Sequence, residues 1–286
     1  MEQRMESFLA LCSTMHYGKA AEKLNLSQPA VSKHIQALEA EYGVTLFTYS
    51  GRRLKITPQG MLLKQYAQTL RYNEEMLKLQ LHRPAKKQLR IGATKSIGDY
   101  ILLAEIRRFL SHPDNRLEFI VDNTAHLLVQ LEGGKLDFVV LEGLFDKERY
   151  DYFLLRQEPY IGICSKGQPL DGREAEIQEL LDYRLILREQ GSGTRNILER
   201  ALEQQGYSIQ SFHDNVCISS FLPIKELVKD GYGISFLYEA VVKDDDSIGR
   251  FCCPSLTGFH ELNVVYLKNT NAGEFAQEFL VRHRTR

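Results

Sequence analysis

The chain has no run of about 18 or more apolar residues, so nothing in it reads as a membrane-spanning helix. Its first residues, Met-Glu-Gln-Arg-Met-Glu, lack the basic, apolar and small-residue zones of a secretory leader. A cytoplasmic location with no membrane partner is the expectation. Cysteines are few and odd in number: Cys12, Cys164, Cys217, Cys252 and Cys253 are scattered without C-x-x-C spacing, which argues against disulfides and zinc alike. Catalytic signatures are missing too. Gly191-x-Gly193 is not followed by the lysine of a phosphate loop, and no histidine stands in a recognisable partner position to Cys164, where packing is the default for a thiol. No enzyme, cofactor or metal is therefore expected, and Asp244-Asp245-Asp246 reads as a solvated loop. Repeats and low-complexity segments are also absent.

Net charge is nearly absent, at −1, but the balance is uneven along the chain. Residues 1–90 hold 14 Lys and Arg against 7 Asp and Glu; residues 91–286 hold 22 against 30. A basic front and an acidic rear suit a polyanion reader joined to a part that does not touch nucleic acid. At 286 residues the chain allows two or three units of about 100–200 residues each.

The front reads as a helix-turn-helix with a basic wing. Met5, Phe8, Leu9, Leu11 and Cys12 form a helical stripe that completes a three-helix core. Ala20, Ala21 and Leu24 follow at helical spacing, and the small alanines let a second helix cross closely. Asn25-Leu26 breaks the pattern. Ser27 can cap the next helix, and Pro29 in its first turn needs no N–H of its own. Val31, Ile35 and Leu38 face inward on that helix, leaving Ser27, Gln28, Pro29, Ala30, Ser32, Lys33 and Gln36 for base edges and phosphates of double-stranded DNA. Leu46 and Phe47 anchor a hairpin whose Arg52, Arg53 and Lys55 would meet the minor groove or backbone. The plainer reading of these residues is caps, surface charge and a solvated hairpin.

Pro58 opens a helical run to about Arg83 with Leu62, Leu63, Tyr66, Ala67, Leu70, Met76, Leu77 and Leu81 at spacings of three, four and seven. At 1.5 Å per residue it spans about 37 Å, too long to bury two stripes on one globule, so pairing with a second copy is expected over packing on its own protomer. Pro84 ends it, and Pro-Ala-Lys-Lys is a linker. From Leu89 short apolar runs alternate with amphipathic stretches, the pattern of an α/β sheet with parallel strands. Strands are predicted at 89–93, 117–121, 138–141, 161–164, 185–187, 233–237 and 262–266. Helices are predicted at 100–110, 125–132, 177–181, 194–205, 221–230 and 273–284.

The set Ala20-Ala21, Leu24, Ser27 to Lys33, Ile35, Leu38-Glu39, Gly43, Leu46-Phe47, Arg52, Thr57 and Gly60 closely resembles the DNA-binding domain of LysR-type transcriptional regulators. The rear is similar to that family's effector domain in Leu187 to Arg195, Thr94-x-Ser-Ile-Gly98, Val140-Leu-Glu-Gly143 and Ile224 to Ile234, most of all to the branch of sulfur-assimilation and carbon-fixation regulators. Two departures stand out. Tyr17-Gly18 replaces the usual phenylalanine and Ser or Thr cap, and Tyr49 replaces a usual arginine.

The resemblance implies a multi-domain protein: an all-α winged helix-turn-helix domain over 1–60, a linker and dimerisation helix over 61–87, and an α/β two-lobed, periplasmic-binding-protein-like effector domain over 88–286. Lobe 1 would comprise about 89–160 and 265–286, lobe 2 about 161–264. It also implies homodimers or homotetramers that bend DNA, a small-molecule effector between the lobes, and contact with RNA polymerase.

The cleft has its own physics. Thr94, Ser96, Ile97 and Gly98 on one side, and Ser192, Gly193 and Thr194 on the other, lie between a strand and a helix, where hydroxyls and free N–H groups form an anion site without a cationic side chain. Ser219 and Ser220 could add donors. A small anionic effector is thus expected, although Gly and Ser also serve in any strand-to-helix turn, and Arg195 reads as a structural ion-pair partner. The competing reading is a DNA-binding oligomer whose rear domain serves assembly without a ligand.

Overall fold

Helices at the front form where apolar residues recur at helical spacing. The computed structural model describes residues 2–82, 88–142 and 145–280. Pro84 and the Pro-Ala-Lys-Lys linker, Gly143 of the Val140–Gly143 motif, and positions 281–284 of the expected last helix lie outside them. The chain divides into two units: Met1–Lys86 with the short segments Glu132–Gly134 and Leu267–Asn271, and the remainder.

In the first unit, α1 (Gln3–Thr14), α2 (Tyr17–Leu24) and α3 (Gln28–Tyr42) enclose a core of Phe8, Leu9, Leu11, Ala20, Ala21, Val31, Ile35 and Leu38. Ser27 caps α3, its hydroxyl accepting from the Ala30 N–H at 3.3 Å, and Gly43 ends it at φ +66°. The cap is not at Gly18, where the family's Ser or Thr would stand, but two residues earlier: α2 begins at Tyr17, and the His16 ring accepts from the Lys19 N–H at 3.3 Å.

Strands β1 (Phe47–Ser50) and β2 (Arg53–Ile56) pair antiparallel, Phe47 opposite Ile56, as the wing. Phe47 also packs on Phe8, ring centroids 5.7 Å apart. Helix α4 (Pro58–His82) follows, with Ala67, Tyr72 and Met76 buried and Leu62, Tyr66, Leu70, Leu77 and Leu81 more than half exposed.

The second unit opens with β3 (Gln88–Ala93), α5 (Lys95–Tyr100), α6 (Leu103–Leu110), β4 (Arg116–Val121), α7 (Thr124–Glu132) and β5 (Phe138–Glu142). A 16-residue strand, β6 (Tyr150–Ser165), leads to α8 (Ile177–Leu180), β7 (Arg184–Leu187), α9 (Gly193–Gln204), β8 (Asp214–Cys217) and α10 (Phe221–Lys229). Last come β9 (Ser235–Tyr238), β10 (Ile248–Phe251), β11 (Gly258–Leu267) and α11 (Ala272–Leu280). One sheet runs β10-β6-β11-β5-β3-β4, with β9 also on β6, and β7-β8 forms a second.

The expectation of parallel strands needs correcting. Pairs β3–β4, β3–β5 and β7–β8 are parallel, but β11–β5, β10–β6 and β6–β9 are antiparallel. The long β6 and β11 are neighbours in the middle of the sheet, β6 antiparallel to β9 and β10 and β11 antiparallel to β5, which reverses strand direction there. Strands β8 and β10 escape the sequence reading because each is four residues with polar or glycine positions inside, too short to show a period. The helix expected over 100–110 is α6, starting at Leu103, and a separate short helix, α5, precedes it where a loop was expected.

Backbone proximity explains Gly60. A Cβ there would stand 2.4 Å from the Leu46 carbonyl oxygen and 2.7 Å from Ile56 Cγ1, where α4 leaves the wing. Gly60→Ala is expected to destabilise the N-terminal unit by about 1–3 kcal/mol, read from urea unfolding of the full chain, because overpacking at backbone cannot relax by a rotamer change.

Candidate functional site

On α3 the inward face is held from inside. The Ser7 hydroxyl and His34 Nδ1 lie 2.8 Å apart, tying α3 to α1, so His34 serves packing. Ser27, Gln28, Pro29, Lys33 and Gln36 are exposed, with Ala30 and Ser32 half-buried on the same outer side. Arg52 in the hairpin turn and Arg53 at the start of β2 are exposed. Glu39 joins the two elements: one carboxylate oxygen accepts from the Leu46 N–H at 2.7 Å and the Phe47 N–H at 3.3 Å. Thr57 closes the wing, its hydroxyl donating to the Thr45 carbonyl at 2.7 Å and accepting from the Gly60 N–H at 2.9 Å.

In the second unit the expected anion-site hydroxyls converge on a carboxylate of the chain itself. Glu142 ends β5 and is 3% exposed. Thr94 Oγ1 donates to its Oε2 at 2.8 Å; Ser96 Oγ and Thr194 Oγ1 each donate to its Oε1 at 3.3 Å and lie 3.2 Å from one another. Thr94 follows β3 at the N-cap of α5, Ser96 lies in α5, and Thr194 in the first turn of α9. Gly193 makes room, because a Cβ there would stand 2.6 Å from Glu142 Cγ. The Tyr160 hydroxyl on β6 donates to the Thr194 carbonyl at 2.9 Å.

Other expected residues take different places. Ile97 is core, and Gly98 sits where a Cβ would meet Val121 Cγ2 at 2.6 Å. Both are inside α5, not in a loop before a helix near Tyr100, because that helix starts at Lys95. Ser192 is buried at the N-cap of α9. Ser219 and Ser220 are exposed before α10, and it is the Ser219 carbonyl, not its hydroxyl, that accepts from Lys95 Nζ at 2.8 Å. Arg195 pairs with Glu199 at 2.8 Å.

Cations are present after all, which corrects the picture of a site built from hydroxyls and amides alone. Arg188 is 5% exposed, pairs with Glu189 at 2.7 Å and lies 4.3 Å over the Phe221 ring. Its charge is felt at Glu142, and Lys95 lies 3.7 Å from Glu189. Sequence reasoning missed Glu142, Tyr160 and Arg188. The signal for Glu142 was available: an acidic residue closes the otherwise apolar run Phe-Val-Val-Leu-Glu.

Burial pushes the Glu142 carboxyl up from its ordinary value, and the Thr94 hydrogen bond, the Arg188 charge and the Ser96 and Thr194 bonds only partly restore it. Magnitudes explain why the restoration falls short. Removing an ion from water costs several kcal/mol, while hydrogen bonds to a charged group return about 1.5–3 kcal/mol each, less for long ones. Tyr160, buried beside this carboxylate, is raised well above the usual phenol value for the same two reasons, burial first. Burial also lifts Cys164 to about 11, so its thiol is inert at neutral pH.

All five cysteines are free thiols. Among the described residues there is no group of three or more His, Cys, Asp or Glu placed to hold a metal ion, and no helix is long and apolar enough to cross a membrane.

A winged helix-turn-helix joined to a two-lobed α/β domain is the architecture of a ligand-linked DNA regulator, and the comparisons agree. Residues 3–61 match the bacterial regulatory helix-turn-helix protein, lysR family, and residues 82–282 match the LysR substrate binding domain. The chain belongs to the LysR family of DNA-binding transcriptional regulators with an effector-binding domain. It is 31% identical to the HTH-type transcriptional regulator CysL of Bacillus subtilis over 84% of this chain and 81% of that one. It is 26% identical to the RuBisCO operon transcriptional regulator of Allochromatium vinosum over 93% and 88%. In fold it is similar to a solved Corynebacterium glutamicum OxyR C206 mutant, with TM-score 0.61 and 22% identity over 97% of this chain and 88% of that one.

A raised folded-state value for Glu142 means the folded chain keeps its proton where the unfolded chain has lost it. The stability this contributes is full below the ordinary carboxylate range and is lost as pH rises through the raised folded value. Glu142→Gln removes that dependence. Its melting temperature minus that of the parent is expected to grow between about pH 4 and pH 8, where unperturbed glutamate titrates at the lower end; a gap that stays flat in thermal melts contradicts this.

Proposed function

We propose that this regulator reads DNA with Ser27, Gln28, Pro29, Ala30, Ser32, Lys33 and Gln36 of α3 in the major groove and Arg52 and Arg53 of the wing on the backbone or minor groove. The observation that carries this is the division of α3. Val31, Ile35 and Leu38 are fully buried while Gln28, Lys33 and Gln36 are exposed on its other side. The same reading takes residues 1–60 as the reading head, 61–87 as the linker helix, and 88–286 as the effector domain, with lobes of about 89–160 plus 265–286 and 161–264. The exposed stripe Leu62, Tyr66, Leu70, Leu77 and Leu81 on α4 suits pairing with a second copy, giving homodimers or homotetramers that engage RNA polymerase in the cytoplasm. Binding, not turnover, is the role proposed for the rear domain, in line with relatives that are transcription regulators.

For the effector we infer a small anion, bound by Thr94, Ser96, Ile97, Gly98, Ser192, Gly193, Thr194, Ser219 and Ser220 around the lobe junction. Three of these residues support the charge assignment directly, because Thr94, Ser96 and Thr194 are arranged to hold a carboxylate. Arg188 and Lys95 add positive charge nearby. Such a ligand would shift the population of assembly shapes and so alter the spacing of the DNA-bound heads. One observation favours the second reading, assembly without a ligand: the three hydroxyls are already occupied by Glu142. Thermal shift of the full chain with sulfite, sulfate, acetate and metabolic carboxylates separates the two, since a ligand that binds the folded form raises its stability.

Lys33→Ala is expected to weaken binding to an operator recovered by selection from random duplexes by tenfold or more. It should also reduce the salt slope by about one and leave the melting temperature unchanged. Unaltered affinity at physiological salt removes Lys33 from the interface. Ser96→Ala and Thr194→Val are expected to blunt the dose response to the effector while sparing DNA affinity, measured by fluorescence anisotropy; an unchanged response in both takes them out of the site.

A further inference from the structure

We propose that Glu142 is a built-in occupant of the effector site: its carboxylate holds the hydroxyls of Thr94, Ser96 and Thr194, and an effector's anionic group enters by exchange with it. This rests on the reading that the cleft takes an anion, and it adds the regulation of that site.

Four observations meet here. Both oxygens of Glu142 are engaged, one by Thr94 and one by Ser96 and Thr194, so an external anion cannot use these donors while the side chain stays in place. Gly193 lacks the Cβ that would collide with Glu142 Cγ at 2.6 Å, so the space is shaped to a carboxylate stem at that point. The hydroxyls come from both lobes, so whichever carboxylate they hold joins Thr94 and Ser96 to Thr194. Finally, the Tyr238 hydroxyl, in a side chain with no exposure, has no hydrogen-bond partner and lies within the electrostatic reach of Glu142 and Tyr160. A buried unpaired hydroxyl is costly, and the two-oxygen carboxylate leaves it unused. The side chain also acts on charge: an anion arriving beside ionised Glu142 is repelled, so exchange is favoured by displacement toward Arg188 or by protonation, and burial raises the Glu142 carboxyl in that direction.

Acetate tests this because it is the part of Glu142 that the hydroxyls touch. In Glu142→Ala the hydroxyls lose their internal partner, and acetate should bind and raise the melting temperature of the full-length chain, with an affinity at least tenfold above that for the wild type. Equal responses in the two chains, or none in the variant, overturn the proposal. If Glu142→Ala does not fold, Glu142→Ser shortens the side chain and vacates the three hydroxyls while keeping a polar group; it should bind acetate at least tenfold more tightly than the wild type, and equal affinity overturns the exchange. Failure of the effector reading shows elsewhere, as a wild-type chain whose operator affinity no anion alters.

Discussion

The need to keep a buried carboxylate hydrated by protein hydroxyls organises the centre of the rear domain. Glu142 stands at the end of β5, where solvent is excluded, and Thr94, Ser96 and Thr194 take the place of water around it. That demand reaches outward. Thr194 must sit in the first turn of α9, Gly193 must have no side chain, and Tyr160 on the crossing strand β6 fixes the Thr194 carbonyl. The result is a polar junction in which the hydroxyls of Thr94, Ser96, Thr194 and Tyr160 each have a partner inside an otherwise apolar core.

Much of the fold was legible, and the parts that were not share a cause. Ser27, Pro29, Gly43 and the Val31, Ile35, Leu38 spacing report α3 because capping and burial are both local in sequence. Strands such as β5 are legible because their run Phe138–Leu141 is wholly apolar, as strands covered on both faces are. The alternation of helices and strands pointed to parallel pairing throughout because it carries no information on strand direction, whereas β6 and β11 turn the sheet antiparallel midway. Thr94, Ser96 and Thr194 were picked out by their position before helices. What they bind was not legible, because Glu142 lies 46 to 52 positions from Ser96, Thr94 and Thr194 and only folding brings them together. Ser219 and Ser220 were chosen on the same local rule and stand exposed before α10, whereas Thr94, Ser96 and Thr194 are buried around Glu142.

The front and rear of the chain use their acidic residues in related ways. Glu142 gathers hydroxyls in a buried junction, and Glu39 gathers the Leu46 and Phe47 amides where the wing leaves the head. In both places a carboxylate satisfies donors that would otherwise be unpaired away from water. The basic excess of residues 1–90 is thus carried on the outside, by side chains such as Lys33, Arg52 and Arg53, while an acid works at the joint.

The Glu39 link has a consequence for how such a reading head can change. Because the wing is fastened to α3 through backbone amides, its posture does not depend on which side chains α3 turns outward. Gln28, Lys33 and Gln36 are exposed and take no part in that clamp, so the outer face of α3 is free to diversify while the attachment of the wing stays the same.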